Sequence, residues 1–283
     1  MTRGDKAADT SASPRRTDAL RPSRGFAHPF LPLPLLAALT HDGRDMLEQI
    51  SIPVDEHRSH KGALAFPDHV EPPYPGVVVV HDIMGYTADL RRHCERFADA
   101  GYAAIGPDLY QGGKPGCVVK TLRSMTTGKG FAYEVIDATR KVLAARDDVD
   151  ADRIGVAGFC MGGGFALIAA ADQSFAVAAP FYGAVPYKAS RLLNLCPTIA
   201  QFGAKDTVFL PHAERLARHL EELGIEHEVH IYEEAGHSFM NQLRGPLAGM
   251  GRHTPIHAAY NADTESKAWA KLLDFFERHM PPK

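Results

Sequence analysis

Cys160, Asp206 and His237 are the residues of this 283-residue chain whose types and order could carry out nucleophilic chemistry together. Cys160 sits in Gly158-Phe159-Cys160-Met161-Gly162, Asp206 in Gly203-Ala204-Lys205-Asp206-Thr207, and His237 in Glu234-Ala235-Gly236-His237-Ser238-Phe239. A thiol is only slightly ionised at neutral pH, and an imidazole within hydrogen-bond reach can take its proton. A carboxylate on the other ring nitrogen fixes the tautomer and stabilises the imidazolium. Each residue also has a plainer reading. Cys160 could be a small buried residue in a tight turn, Asp206 the cap of a turn before a helix at Pro211, and His237 a loop histidine.

These residues act together only if the elements around them bring them together. The run from Arg153 to Gly158 predicts a buried strand, the small residues around Cys160 a sharp turn, and Phe165 to Ala170 a helix packed close against the sheet. Glycines flank the thiol because a nucleophile at such an apex has a strained backbone, and larger neighbours would collide with the strand and helix beneath it. The turn also places the thiol at a helix N-terminus, where free N–H groups favour negative charge.

Before the elbow, Leu47 to Val54 and Ala63 to Phe66 read as two strands, and Gly76 to His81 as a strand buried on both faces. A helix is expected from about Ala88 to Ala100, a strand over Tyr102 to Gly106, a Gly/Lys/Pro-rich loop with one helix over Gln111 to Gly130, and a helix from Phe131 to Arg146. After the elbow come strands near Phe175 to Tyr182, Thr198 to Phe202 and Glu228 to Tyr232. Helices over Pro211 to Leu223 and Thr264 to His279, with a loop from Asn241 to Asn261, complete the chain. Alternating strands and helices without an internal repeat define an α/β protein with one doubly wound, mostly parallel sheet and helices on both faces. Reactive groups then collect at the C-terminal ends of the strands, and Cys160, Asp206 and His237 each follow a strand.

The formal net charge of −3 gives no electrostatic case for nucleic acid or an anionic membrane. Cys94, Cys117, Cys160 and Cys196 are widely spaced and lack zinc-finger or Cys-x-x-Cys spacing, which reads as reduced thiols in a cytoplasmic protein. His227 and His230 fall three apart in a strand, point to opposite faces, and do not make a metal site. Residues 1–45 are polar and Pro-rich at first and read as a disordered or loosely attached tail, with the folded domain spanning 46–283 and Met46 an alternative start. The apolar run Phe30 to Leu39 is too short to span a bilayer and carries two prolines.

Gly-Phe-Cys-Met-Gly-Gly, Pro107-Asp108-Leu109-Tyr110, Phe181-Tyr182-Gly183, Gly203-Ala204-Lys205-Asp206 and Ala235-Gly236-His237-Ser238-Phe239 together resemble the dienelactone hydrolase (carboxymethylenebutenolidase) family of α/β-hydrolases. Gly-x-Cys-x-Gly then corresponds to the hydrolase nucleophile elbow with cysteine in place of serine, and the order nucleophile, acid, histidine is the one expected of that fold. The resemblance implies a Cys160-His237-Asp206 triad, an oxyanion hole from the N–H groups of Ile83 and Met161, and pocket walls at Tyr110, Tyr182 and Phe239, which could equally be core aromatics. It implies thiolate attack on a small ester or lactone, an acyl-thioester, and hydrolysis by water activated by His237, in a monomer or homodimer without a metal or organic cofactor.

Two positions depart from the family pattern. Asp82 stands where glutamate usually helps to ionise the thiol, so thiol activation and capping of the local turn both remain open readings. Asn241 stands where an arginine would grip a substrate carboxylate, leaving Arg123 and Arg244 as substitutes. Two rival classes remain: a binding protein of hydrolase fold that leaves its ligand intact, and a redox-sensing thiol, for which no resolving cysteine lies nearby in sequence.

Overall fold

The computed structural model describes residues 47–242 and 249–281. The expected tail and Arg244 lie outside the described residues.

The chain opens with two strands, β1 (Leu47–Pro53) and β2 (Ser59–Ala65), paired antiparallel. Six further strands follow: β3 (Tyr74–Val80), β4 (Ala103–Pro107), β5 (Val149–Phe159), β6 (Ala178–Phe181), β7 (Thr198–Gly203) and β8 (His227–Tyr232). Their order across the sheet is β1-β2-β4-β3-β5-β6-β7-β8, antiparallel from β1 to β4 and parallel from β4 to β8. Continuous apolar runs such as Val77-Val78-Val79-Val80, wholly buried, form the central strands because helices cover both faces.

The helices are α1 (Ala88–Asp99), α2 (Pro115–Thr127), α3 (Phe131–Ala144), α4 (Met161–Asp172), α5 (Leu210–Leu223) and α6 (Ala262–His279). They fall where the sequence places them, with several shifts of boundary: among the strands, β2 starts at Ser59 rather than Ala63 and β5 at Val149 rather than Arg153. The strand expected from Phe175 shortens to Ala178–Phe181, and α4 starts directly at Met161 rather than at Phe165. Helix α4 is buried at every residue from Met161 to Ala171, which explains why its sequence is apolar all round instead of amphipathic. Helix α2 is the opposite case. It buries only Thr121 and Ser124, starts with Pro115 in its first turn, and stops at Gly128 with φ +65°. No helix among the described residues is long and apolar enough to cross a membrane.

Candidate active site

The elbow is built from backbone contacts. Strand β5 ends at Phe159, Cys160 turns the chain with φ +56° and ψ −116°, and α4 begins at the next residue. That conformation costs a non-glycine residue roughly 1–3 kcal/mol. The Cys160 N–H donates to the Phe181 carbonyl at 3.0 Å, and the Cys160 carbonyl accepts from Gly163 at 3.0 Å, so the strained residue is held on both sides. A Cβ on Gly158 would lie 2.0 Å from the Gly162 carbonyl oxygen, and one on Gly162 would lie 2.2 Å from that of Val80. Those distances leave room for hydrogen only, which is the physical content of the Gly-x-Cys-x-Gly pattern.

Asp206 and His237 arrive on the loops after β7 and β8. The Asp206 Oδ2 atom accepts from His237 Nδ1 at 2.6 Å, with both residues almost fully buried. Its other oxygen accepts from the N–H groups of Val208 and Phe209 at 3.2 and 3.1 Å, just before α5. Asp206 therefore both caps the turn and holds the imidazole by a hydrogen bond. The His237 N–H donates to Ile256 at 2.8 Å and its carbonyl accepts from Ala259 at 3.0 Å, so the 256–259 segment fixes its backbone. The Tyr182 and Phe209 rings lie 4.9 and 4.7 Å from the imidazole. The Cys160 sulfur lies within hydrogen-bond reach of the ring. Burial disfavours the imidazolium, but Asp206 and Cys160 together outweigh it and raise the His237 pKa to about 9.

The third part is the loop Asp82-Ile83-Met84-Gly85 after β3. Gly85 N–H donates to the Asp82 carbonyl at 3.2 Å, Met84 N–H to Asp82 Oδ1 at 2.8 Å, and Tyr110 hydroxyl to the Ile83 carbonyl at 3.0 Å. The Ile83 N–H has no acceptor among the described residues. Met161, as the first residue of α4, has an N–H that no residue of its own helix can bind. Both expected oxyanion donors are thus free backbone groups.

Asp82 is committed elsewhere than to the thiol. Its Oδ2 accepts from Asn241 Nδ2 at 2.5 Å, and burial pushes its carboxyl above the usual range against the pull of Met84 and Asn241. Asn241 is 2% exposed, and its Oδ1 accepts from Tyr182 hydroxyl at 3.4 Å and from His93 Nε2 at 3.2 Å. Tyr182 and Phe239 are 0% exposed; Tyr182 packs against the His237 ring and Phe239 against Tyr182. Tyr110, 8% exposed, supports the loop from below through its hydroxyl. Arg123 lies exposed on α2.

Sequence reasoning passed over His81 and His93. His81 Nδ1 donates to the Asp82 carbonyl at 2.6 Å, and His93 stacks on Phe159 with ring centroids 4.0 Å apart. With 15 histidines in the chain, no single one stood out, although His81 directly precedes Asp82.

A cleft of about 480 Å³ opens beside the loop, lined by Asp82, Met84, Asp89, Arg92, Glu95 and Gln242 among others. The Arg92 guanidinium is already engaged with Asp89, Glu265 and the Met240 carbonyl.

A thiol on a strand-to-helix elbow and a buried acid-histidine pair, at the C-terminal edge of a mostly parallel sheet, define an α/β-hydrolase. The dienelactone hydrolase family model matches residues 61–280, and the chain belongs to that family, as an ester or lactone hydrolase. It is 30% identical over 234 residues to a Yersinia pestis protein whose carboxymethylenebutenolidase name is provisional, covering 76% of this chain and 82% of that protein. It is 27% identical over 220 residues to the carboxymethylenebutenolidase of Rhodococcus opacus, covering 72% and 81%. Among solved structures, a provisionally named dienelactone hydrolase from Klebsiella pneumoniae superposes with a TM-score of 0.66 at 24% identity, covering 82% of this chain and 98% of its own.

Proposed function

We propose that the protein hydrolyses a small uncharged ester or lactone through an acyl-thioester on Cys160. The observation that carries this reading is the 2.6 Å Asp206 to His237 bond on an imidazole within reach of a thiol at a strained elbow. The proton of the Cys160–His237 pair sits on the imidazole, where Asp206 holds it, and the thiolate adds to the carbonyl carbon. Charge develops on the carbonyl oxygen, where the N–H groups of Ile83 and Met161 and the α4 N-terminus stabilise it. Collapse expels the alkoxide, which takes the proton from His237 as the thioester forms. Water then attacks the thioester, losing a proton to the imidazole, and the thiolate leaves.

The uncharged substrate class follows from what surrounds the loop. Asn241 turns both ends of its amide inward, and Arg92 is tied to two carboxylates, so neither offers a free cation to a substrate carboxylate.

The test follows hydrolysis of dienelactone and of a neutral activated acetate ester by wild type and Cys160→Ala. Turnover of the neutral ester, lost on the order of 10⁴-fold in the variant, is the expected result. Equal or faster cysteine-dependent turnover of dienelactone would refute the uncharged class. Rates that ignore the substitution would refute the nucleophile.

A further inference from the structure

Two buried histidines bear on the loop after β3, His81 directly and His93 through Asn241, and the mechanism above uses neither. We infer that His81 and His93 are positioning residues that aim the Ile83 N–H at the reacting carbonyl; this rests on the hydrolase reading.

The argument starts at the peptide between Asp82 and Ile83. In a trans peptide the carbonyl and the N–H point in opposite directions, so fixing one aims the other. The carbonyl of that peptide accepts from His81 Nδ1 at 2.6 Å and from Gly85 N–H at 3.2 Å. His81 is itself fixed: its Nε2 accepts from Leu109 N–H at 3.1 Å, which assigns the proton to Nδ1, and its ring meets Tyr110 edge-on at 5.0 Å. A hydrogen bond into the carbonyl also polarises the peptide and makes the opposite N–H a better donor.

The second arm holds the side chain of the same residue. His93 lies on α1, stacks at 13° on Phe159 next to the nucleophile, and meets Asn241 Oδ1 with its Nε2. The Asn241 amide donates to Asp82, so its oxygen faces His93 and the histidine must be the donor. His93 Nδ1 is buried without a partner among the described residues, as a bare acceptor nitrogen can be more readily than an N–H. His93 thereby orients Asn241, and Asn241 holds the Asp82 carboxylate at 2.5 Å. One ring touches the elbow, joins the loop after His237 and, through it, restrains the oxyanion loop. His81 and His93 are 3% and 1% exposed, and burial keeps both imidazoles neutral, each with the single N–H this scheme requires.

The chemistry of the side chains supplies its own control. An asparagine amide can stand where histidine Nδ1 stands, and a glutamine amide where Nε2 stands. His81→Asn and His93→Gln should therefore keep kcat within about threefold of wild type, whereas His81→Leu and His93→Leu should lower it about 10- to 100-fold with KM little changed. The same factors should apply to neutral and carboxylated esters, because neither histidine meets substrate. Alkylation of Cys160 by iodoacetamide needs no oxyanion hole and should stay near the wild-type rate in all four variants.

Equal rates for the amide and leucine variants would overturn the inference, as would a parallel loss of alkylation or a loss confined to KM. Should a leucine variant fail to fold, the exchanged amides decide. His81→Gln and His93→Asn falling about tenfold below their counterparts would support the assignment, and equality would overturn it. If wild-type turnover proves independent of Cys160, it is the hydrolase reading that fails, and nitrogen NMR of the wild-type imidazoles then judges the tie. Neutral rings protonated on Nδ1 in His81 and on Nε2 in His93 would uphold it. Any other state would sink it.

Discussion

The elbow at Cys160 and the loop after β3 are held in place by different means. Around Cys160 the constraint is backbone against backbone: Gly158 against Gly162, Gly162 against Val80, Cys160 N–H on Phe181. Around Ile83 it is side chains from distant parts of the chain: His81, Tyr110 and, through Asp82, Asn241 and His93. The first arrangement cannot relax when altered, since neighbouring main chain has nowhere to go. The second can lose one arm and keep the others. Changes at the elbow should therefore act in full or not at all, while changes around the loop should be graded.

Gly162→Ala gives that contrast its largest expected effect. The new methyl would sit 2.2 Å from the Val80 carbonyl, so either α4 or β3 must move. Urea unfolding should show a loss of about 3 kcal/mol or more, with little turnover left in the folded fraction. A variant as stable and active as wild type would show that the elbow is looser than its geometry.

Asp82→Asn probes the loop, where the effect should be smaller. The substitution keeps an oxygen for Met84 N–H but sets an amide against the Asn241 amide, so one hydrogen bond weakens. Stopped-flow acylation should slow by roughly tenfold with KM within about threefold, the size expected for a loop slightly misaimed. An unchanged acylation rate would confine Asp82 to capping its turn.

The smallest effect concerns pH and the Asp206 to His237 pair. The folded His237 pKa of about 9 is above the usual 6.5, so the stability its charge contributes is fully present below about pH 6.5 and lost as pH rises through about 9. The melting-temperature advantage of wild type over His237→Gln should shrink between pH 6.5 and 10. An advantage growing over that range would mean that the histidine is held neutral.

The elbow was legible because its chemistry is local: Gly-x-Cys-x-Gly, the β-branched run before it and the small residues after it lie in one continuous stretch. Asp206 and His237 could be singled out because each lies in the loop that follows a strand and only their order had to be read. Asn241 was singled out for the arginine it replaces, but its actual partners, Asp82, Tyr182 and His93, are 159, 59 and 148 residues away, and no spacing announces them. Tyr182 and Phe239 read equally well as pocket walls and as core, because a sequence gives an aromatic residue's type and not its depth.

What the sequence by itself determined is the order of strands and helices along the chain and the three residues that follow strands β5, β7 and β8. Those follow from hydrophobic period, turn chemistry and a backbone position that tolerates only glycine beside it. Tertiary structure alone decided which buried polar groups meet: that Asp82 turns to Asn241, that His81 takes the Asp82 carbonyl, and that His93 stacks on Phe159. A buried polar atom must find a partner, but which one it finds depends on how β3, β5, α1 and the loop after β8 pack, and so on contacts between residues far apart in the chain.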